Sequence, residues 1–287
     1  MPTIWEKVTA NTKLISLPDV YLRLKDVLDD PEFCMGDVAE VISHDPAATT
    51  RLLRLVNSAY FGLAAKIDTV NRAVSMLGTQ QVHDLVLASS VAQTFDGMSN
   101  QVMDMERFWK KSVYCAIACK ELAAKCNVLD GERLFVAGLL RDIGHLIMFQ
   151  TAPEQAQQAM QHSSKQGVPL FKVEQVLLGI DYAKVGGALL RQWNLPRSLW
   201  EPIEFHVEPA VAEEFQLLTA LLHIAAAITD AVQDERDVEA CLVKLSSAVW
   251  QVTGLTAEQC GDLPERVDQQ LSAVMNLIFP SLGQATA

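Results

Sequence analysis

Residues Arg51 to Gly62 read RLLRLVNSAYFG, and this stretch decides the fold class. Leu52, Leu55, Val56 and Ala59 recur at three- and four-residue spacing, which puts them on one face of a helix. Gly62 follows as the residue best suited to the left-handed backbone after a helix end. Asn57, Ser58, Tyr60 and Phe61 crowd that corner. As ordinary structure, Asn57 caps carbonyls and the aromatic rings pack between subdomains. As a site, the four line a groove for a ligand or partner.

Working outward, the same period recurs. Pro18 precedes a stripe of Val20, Leu24, Val27 and Leu28, which Asp29-Asp30-Pro31 closes. A short helix over 37–43 ends at His44-Asp45-Pro46, a helix terminus and not a ligand pair. Helices are expected over 47–59, 69–77 and 79–95, with Gly78 at the last joint. The polar stretch DGMSNQVMD at 96–104 reads as a linker. Beyond it, helices are expected over 106–126, 132–150, 153–166, 170–178, 181–193, 196–206, 213–232, 237–252 and 257–278. No segment alternates with the period of a strand. The expected fold is all-α with two helical subdomains, 1–100 and 101–287.

Composition narrows the function. Of 287 residues, half are hydrophobic and a fifth charged, which is globular and excludes a disordered or fibrous chain. Lys plus Arg is 23 against 35 for Asp plus Glu, a net charge of −12 with no basic run. A phosphate backbone would be repelled, so nucleic acid is not an expected partner. The longest apolar stretch, 217–232, is interrupted by Thr219, His223, Thr229 and Asp230, so no transmembrane helix is expected. Residues 1–14 carry Glu6, Lys7 and Lys13 and do not read as a secretory signal. A cytoplasmic protein is expected. Cys115, Cys119 and Cys126 share a helix face without any C-x-x-C, which fits small buried residues better than a zinc site. Trp109, Trp193 and Trp200 read as packing residues. Gly186-Gly187 lies inside a helical pattern, and neither a phosphate-binding loop nor a G-x-S-x-G elbow is present.

A family resemblance rests on motifs in order. They are LPDV (17–20), DDP (29–31), VISHDP (41–46), RLLRLVNSAYFG (51–62) and AVSMLG (73–78). AGLLRDIG (137–144), VGGALLRQWNLP (185–196) and IEFH (203–206) follow. Together they resemble the HDOD family, the HD-related output domains of bacterial signalling proteins. NSAYFG is the more specific marker; AGLLxDIG alone points to the wider HD superfamily of helical, metal-dependent phosphohydrolases. The resemblance implies an N-terminal helical bundle joined to a C-terminal HD-like bundle.

It also implies where a metal site would stand: a His, an adjacent His-Asp pair, further histidines and a distant Asp. Here Lys111 occupies the first His position, and Arg141 precedes the retained Asp142. Tyr182 replaces another His. His206 is kept, but Val207 follows it, and the last Asp aligns with Ala226. Asp142 and His206 are too few ligands for a metal that needs three or four. Arginine does not lose its proton to become a ligand. The expectation is no metal and no cofactor, with Asp142 buried against Lys111 or Arg141. A displaced site from Asp142, His145 and His206, with His223 near, is the alternative.

The expected function is therefore a non-catalytic signalling or regulatory protein that binds an unidentified protein partner. A phosphohydrolase with a residual or displaced site is one alternative. The other is a nucleotide sensor that binds without hydrolysis, holding an anionic ligand with Lys110, Lys111 and Arg141. The apolar C-terminal helices either form a homodimer interface or close the core.

Overall fold

The computed structural model describes residues 17–58, 66–95, 103–129 and 131–279. Among them there are helices and no strand. The chain forms two compact units. One takes in Ser16–Met98 together with Arg266–Ala287, and the other spans Ser99–Glu265. The polar stretch expected as a linker, 96–104, lies mostly outside the described residues. The C-terminal segment differs from expectation, because it groups with the N-terminal unit. Its helix buries Val267, Leu271, Val274 and Ile278, an apolar stripe at helical spacing.

The N-terminal unit contains α1 (Asp19–Asp29), α2 (Met35–Ser43), α3 (Pro46–Val56), α4 (Val70–Leu77) and α5 (Thr79–Thr94). The starts are chemically marked. Asp45 accepts from the backbone N–H groups of Ala47 and Ala48 at 2.8 and 2.9 Å, and Thr69 accepts from that of Arg72. Tyr21 on α1 meets His83 on α5 at 2.8 Å, and His83 in turn meets Asp84, all three buried.

The larger unit contains α6 (Met105–Lys125), α7 (Gly131–Leu140), α8 (Ile143–Thr151), α9 (Pro153–Gln166), α10 (Leu170–Leu178), α11 (Tyr182–Gln192), α12 (Arg197–Phe205), α13 (Gln216–Gln233), α14 (Val238–Leu242) and α15 (Ser247–Thr253). The final helix, α16 (Leu263–Ile278), starts here and runs into the other unit. The continuous helix expected over 132–150 is two helices, broken at Arg141-Asp142. The segments expected over 237–252 and 257–278 are likewise broken. α13 is long and apolar enough by composition to cross a membrane, yet 56% of it is buried within the fold.

Two glycines set the packing. A Cβ on Gly138 would lie 2.8 Å from the backbone of Ala116, so α6 and α7 cross there backbone to backbone. A Cβ on Gly144 would lie 1.9 Å from the carbonyl oxygen of Tyr182, so α8 meets α11 equally closely. Glu201 fixes a third junction. Its buried Oε1 accepts the N–H groups of Glu213, Glu214 and Phe215 at 2.8, 2.8 and 3.0 Å, just before α13 begins. Those donors have no partner inside the helix, and the carboxylate supplies one.

Candidate functional site

The close crossings bring α6, the α7–α8 corner and α13 together around four charged side chains. Lys111 comes from α6, Arg141 and Asp142 from the corner, and Asp230 from the last turns of α13. Lys111 Nζ lies 3.1 Å from Asp142 Oδ2 and 3.0 Å from Asp230 Oδ1. Arg141 Nη2 lies 3.1 and 2.6 Å from the same two oxygens. Cations and carboxylates thus alternate around a closed ring. Its floor is sealed and its rim is open: Arg141 and Asp142 are 0% and 2% exposed, Lys111 and Asp230 29% and 38%.

The electrostatics follow from that geometry. Burial alone would push Asp142 up, but Arg141 and Lys111 outweigh it and hold the carboxyl well below the usual range. Asp230 is lowered by the same two cations against the same opposition. Burial works against the charge of Lys111, and Asp142 and Asp230 overcome it to raise its pKa. All four groups therefore carry charge at neutral pH, and the ring sums to zero.

Asp230, which carried no motif, completes the ring, while Ala226 lies one turn earlier on the same helix. Ala226 is buried and has no side-chain donor. The two positions are four residues apart on α13 and so share a helix face.

Beside the ring stands a row of aromatic and imidazole groups. His206 Nδ1–H donates to the Ile203 carbonyl at 2.7 Å, which leaves Nε2 to accept from the Tyr182 hydroxyl at 3.0 Å. Tyr182 keeps its proton because burial, and then the charge of Asp142, raise its pKa well above normal. His223 Nδ1–H donates to the His206 carbonyl at 2.6 Å. On its other side Tyr182 stacks on His145, with ring centroids 4.0 Å apart. His145 Nε2 sits 3.2 Å from Glu174 Oε1, and the other oxygen of Glu174 accepts the Tyr182 backbone N–H at 2.9 Å. Glu174 is buried and carried no motif. Its only signal was an acidic residue on the apolar side of a short amphipathic helix.

Burial, and next the charge of Arg141, push the pKa of His206 down to about 4. The sign is that of a lowered group. The stability tied to neutral His206 is fully present above its ordinary value of about 6.5 and is lost as pH falls from there toward about 4. That window is worth on the order of 3 kcal/mol. Urea unfolding should show wild-type stability falling across it, and His206→Gln should flatten the fall. An equally steep fall in the variant would show that another group is responsible.

The other proposed positions fall elsewhere. Among the described residues, no group of three or more His, Cys, Asp and Glu could hold a metal, so Asp142, His145 and His206 do not form the displaced site. His206 and His223 each hold hydrogen-bond partners of their own, and His145 faces Glu174. Lys110 is exposed and belongs to no part of the ring. Asn57 and Ser58 belong to the other unit. The Asn57 amide donates to Leu53 and Ile67 carbonyls at 2.7 and 2.6 Å and accepts from the Ile67 N–H at 2.7 Å. It fastens a helix end to the chain ten residues on. Ser58 donates to Leu55. Tyr60 and Phe61, like Gly62, lie outside the described residues. Trp109 and Trp193 are buried, and Trp200 lies against the guanidinium groups of Arg191 and Arg197.

The HDOD domain pattern matches residues 14–209. The chain belongs to the HDOD family. A Shewanella amazonensis SB2B structure named "Putative phosphohydrolase" shares 28% identity with this HDOD protein, with a TM-score of 0.70 and coverage of 99% of this chain and 98% of that one. An HDOD domain protein of unknown function from Geobacter sulfurreducens, 21% identical, has the same fold at a TM-score of 0.71, covering 91% and 92%. So does a Marinobacter aquaeolei VT8 structure named "Putative signal transduction protein", 19% identical at 0.70, covering 94% of this chain and 59% of that one. A protein of Treponema pallidum (strain Nichols) named "Uncharacterized protein" is 25% identical over 213 residues. That match takes in 73% of this chain and 40% of that one, so this chain spans less than half of the curated relative's length.

The donor set bears on the metal that the HD superfamily uses. A divalent ion at the ring would need the oxygens that Lys111 and Arg141 already hold. Two fixed positive charges within 3.1 Å of both carboxylates would also repel it. The residues present do not fit a metal.

Proposed function

We propose that this HDOD protein is a non-catalytic regulator in bacterial signal transduction that works by binding a protein partner. The observation that carries the reading is the charge ring. Lys111 and Arg141 satisfy Asp142 and Asp230, leaving no acidic pair to hold a metal and activate water. The same neutrality disfavours the nucleotide-sensing alternative, since neither cation has uncommitted charge for a phosphate. The cysteines among the described residues are all free thiols, which suits the reducing cytoplasm that we propose as its setting.

Two measurements on tag-free protein purified without chelator test the reading. Mass spectrometry should find iron, manganese, nickel and zinc far below one equivalent. Hydrolysis of p-nitrophenyl phosphate and bis-p-nitrophenyl phosphate should stay at the buffer rate with each metal added. Stoichiometric metal with metal-dependent turnover would overturn it.

A further inference from the structure

Residues 155–196, from α9 to just before α12, depart from the acidic character of the chain. They carry four cations, Lys165, Lys172, Lys184 and Arg191, against two acids, Glu174 and Asp181. Both acids are buried and turned inward. Glu174 accepts the Tyr182 backbone N–H, and Asp181 accepts from the Gln175 amide and the Lys184 backbone N–H. The charge that this stretch presents to solvent is therefore positive, in a chain whose net charge is −12. Two aliphatic side chains stand in the same stretch: Val176 and Leu177 on α10 are 83% and 47% exposed. One turn beyond Val176, Gly179 ends α10 and borders a cleft of about 350 Å³, which Lys184 and Arg191 of α11 and Glu204 of α12 also line. The cleft shares no residue with the charge ring. Arg191 is set in advance, because both of its terminal nitrogens pair with Glu204 and its guanidinium carbon lies 4.9 Å from the centre of the Trp200 ring. It still keeps 41% of its side chain exposed, and Lys184 keeps 45%.

We propose that the α10–α11 face is the docking surface for an acidic segment of the partner protein. Val176 and Leu177 are covered by its aliphatic side chains, and Lys184 and Arg191 hold two of its carboxylates. The inference rests on the partner-binding reading above and adds where the partner sits and what it carries. Scattered exposed aliphatics are ordinary on a protein surface. This pair is set apart by the cations and the cleft that begin one turn away. An acidic segment is attracted to this face and repelled by the acidic remainder of the molecule, which fixes where it lands. Lys184 and Arg191 are two turns apart on one helix, about 10 Å along its axis. That span matches carboxylates about seven residues apart on a helix or about three apart in an extended chain. A nucleic acid fits less well, since exposed aliphatic groups offer nothing to phosphates and the net charge opposes a polyanion.

The test is selection of a random-peptide display library on the full chain, followed by fluorescence anisotropy of the enriched peptides. Enriched sequences should carry two or more Asp or Glu residues beside an aliphatic one. Lys184→Glu should weaken their binding about tenfold or more, and Val176→Asn about fivefold. Lys244→Glu makes the same change in charge at an exposed lysine just after α14, and should alter binding less than about twofold. If Lys184→Glu does not fold, Val176→Asn decides, since its side chain is almost fully exposed. Failure to enrich any acidic peptide overturns the proposal. So do acidic binders that Lys244→Glu weakens as much as Lys184→Glu, or that Val176→Asn leaves unchanged. None of these outcomes touches the non-catalytic reading, which the metal and hydrolysis measurements judge by themselves. A labelled single-stranded DNA that binds as tightly as the enriched peptides, and is lost in Lys184→Glu, would overturn the choice of a protein segment and assign the face to nucleic acid.

Discussion

Gly144→Ala should lower the stability of the larger unit by at least about 3 kcal/mol, which corresponds to a Tm loss of roughly 10 °C or more. The reason is contact geometry and not backbone freedom. The added methyl would stand 1.9 Å from the Tyr182 carbonyl oxygen and 2.8 Å from the Gly186 nitrogen, and backbone cannot rotate away as a side chain can. Relief requires α8 and α11 to separate. That shift would carry Tyr182 away from His206 and His145, so the variant should also lose part of the fall in stability with acid that is tied to His206. Gly131→Ala is the matched control. There the new methyl, within an α-helix, meets the Ala123 Cβ at 3.7 Å and the Lys120 Cγ at 3.9 Å, both ordinary van der Waals contacts. Alanine's better helix propensity should make that variant neutral or more stable by up to about 1 kcal/mol. Thermal denaturation of the two proteins side by side decides the matter. Equal Tm values would show that the α8–α11 crossing is softer than the geometry implies.

The same crossings explain how much could be read in advance. Helix starts were legible because Asp45, Thr69 and Asp104 cap them with side-chain oxygens. The interruption at Arg141-Asp142 was not, because apolar residues continue through it at helical spacing from Leu139 and Leu140 to Ile143 and Leu146. A turn buried in a core keeps the hydrophobic pattern of the helices it joins. The positions of Lys111, Arg141 and Asp142 could be drawn from the motif, and the structure brings them together. Asp230 was missed because it belongs to no motif, and its partners Lys111 and Arg141 lie far away in sequence. Glu174 and Glu201 were missed for a different reason. Each serves backbone N–H groups supplied from eight to fourteen residues further along, and such a partner has no local signature. The grouping of 266–287 with the N-terminal unit was beyond pattern reading as well. An amphipathic stripe says that a face is buried but not against what.

Arg141→Met should cost about 3–5 kcal/mol at pH 7.5, because it removes one side of the buried ring and keeps the other. Methionine fills much of the space, so the loss reports charge more than volume. Asp142, 2% exposed, would be left with Lys111 alone. The pH dependence separates this from a packing defect. In the wild type Asp142 is held well below its ordinary value, so its contribution is fully present above that value and is lost only as pH falls below it. With Arg141 gone, burial is opposed by a single cation and the carboxyl rises. Once its folded pKa exceeds the unfolded one, the sign reverses, and protonation favours the folded state. His206 moves in concert, because the Arg141 charge that helps to keep it neutral is removed and its pKa climbs back toward normal. Both changes make the variant lose less stability than the wild type on acidification. Urea unfolding should therefore show the gap between the two proteins narrowing from pH 7.5 to pH 5. A gap that stays constant would mean that Arg141 acts by filling space. A loss below about 1 kcal/mol would place the ring among ion pairs that contribute little. The expected narrowing would instead mark it as the element that keeps two carboxylates charged inside a helical core.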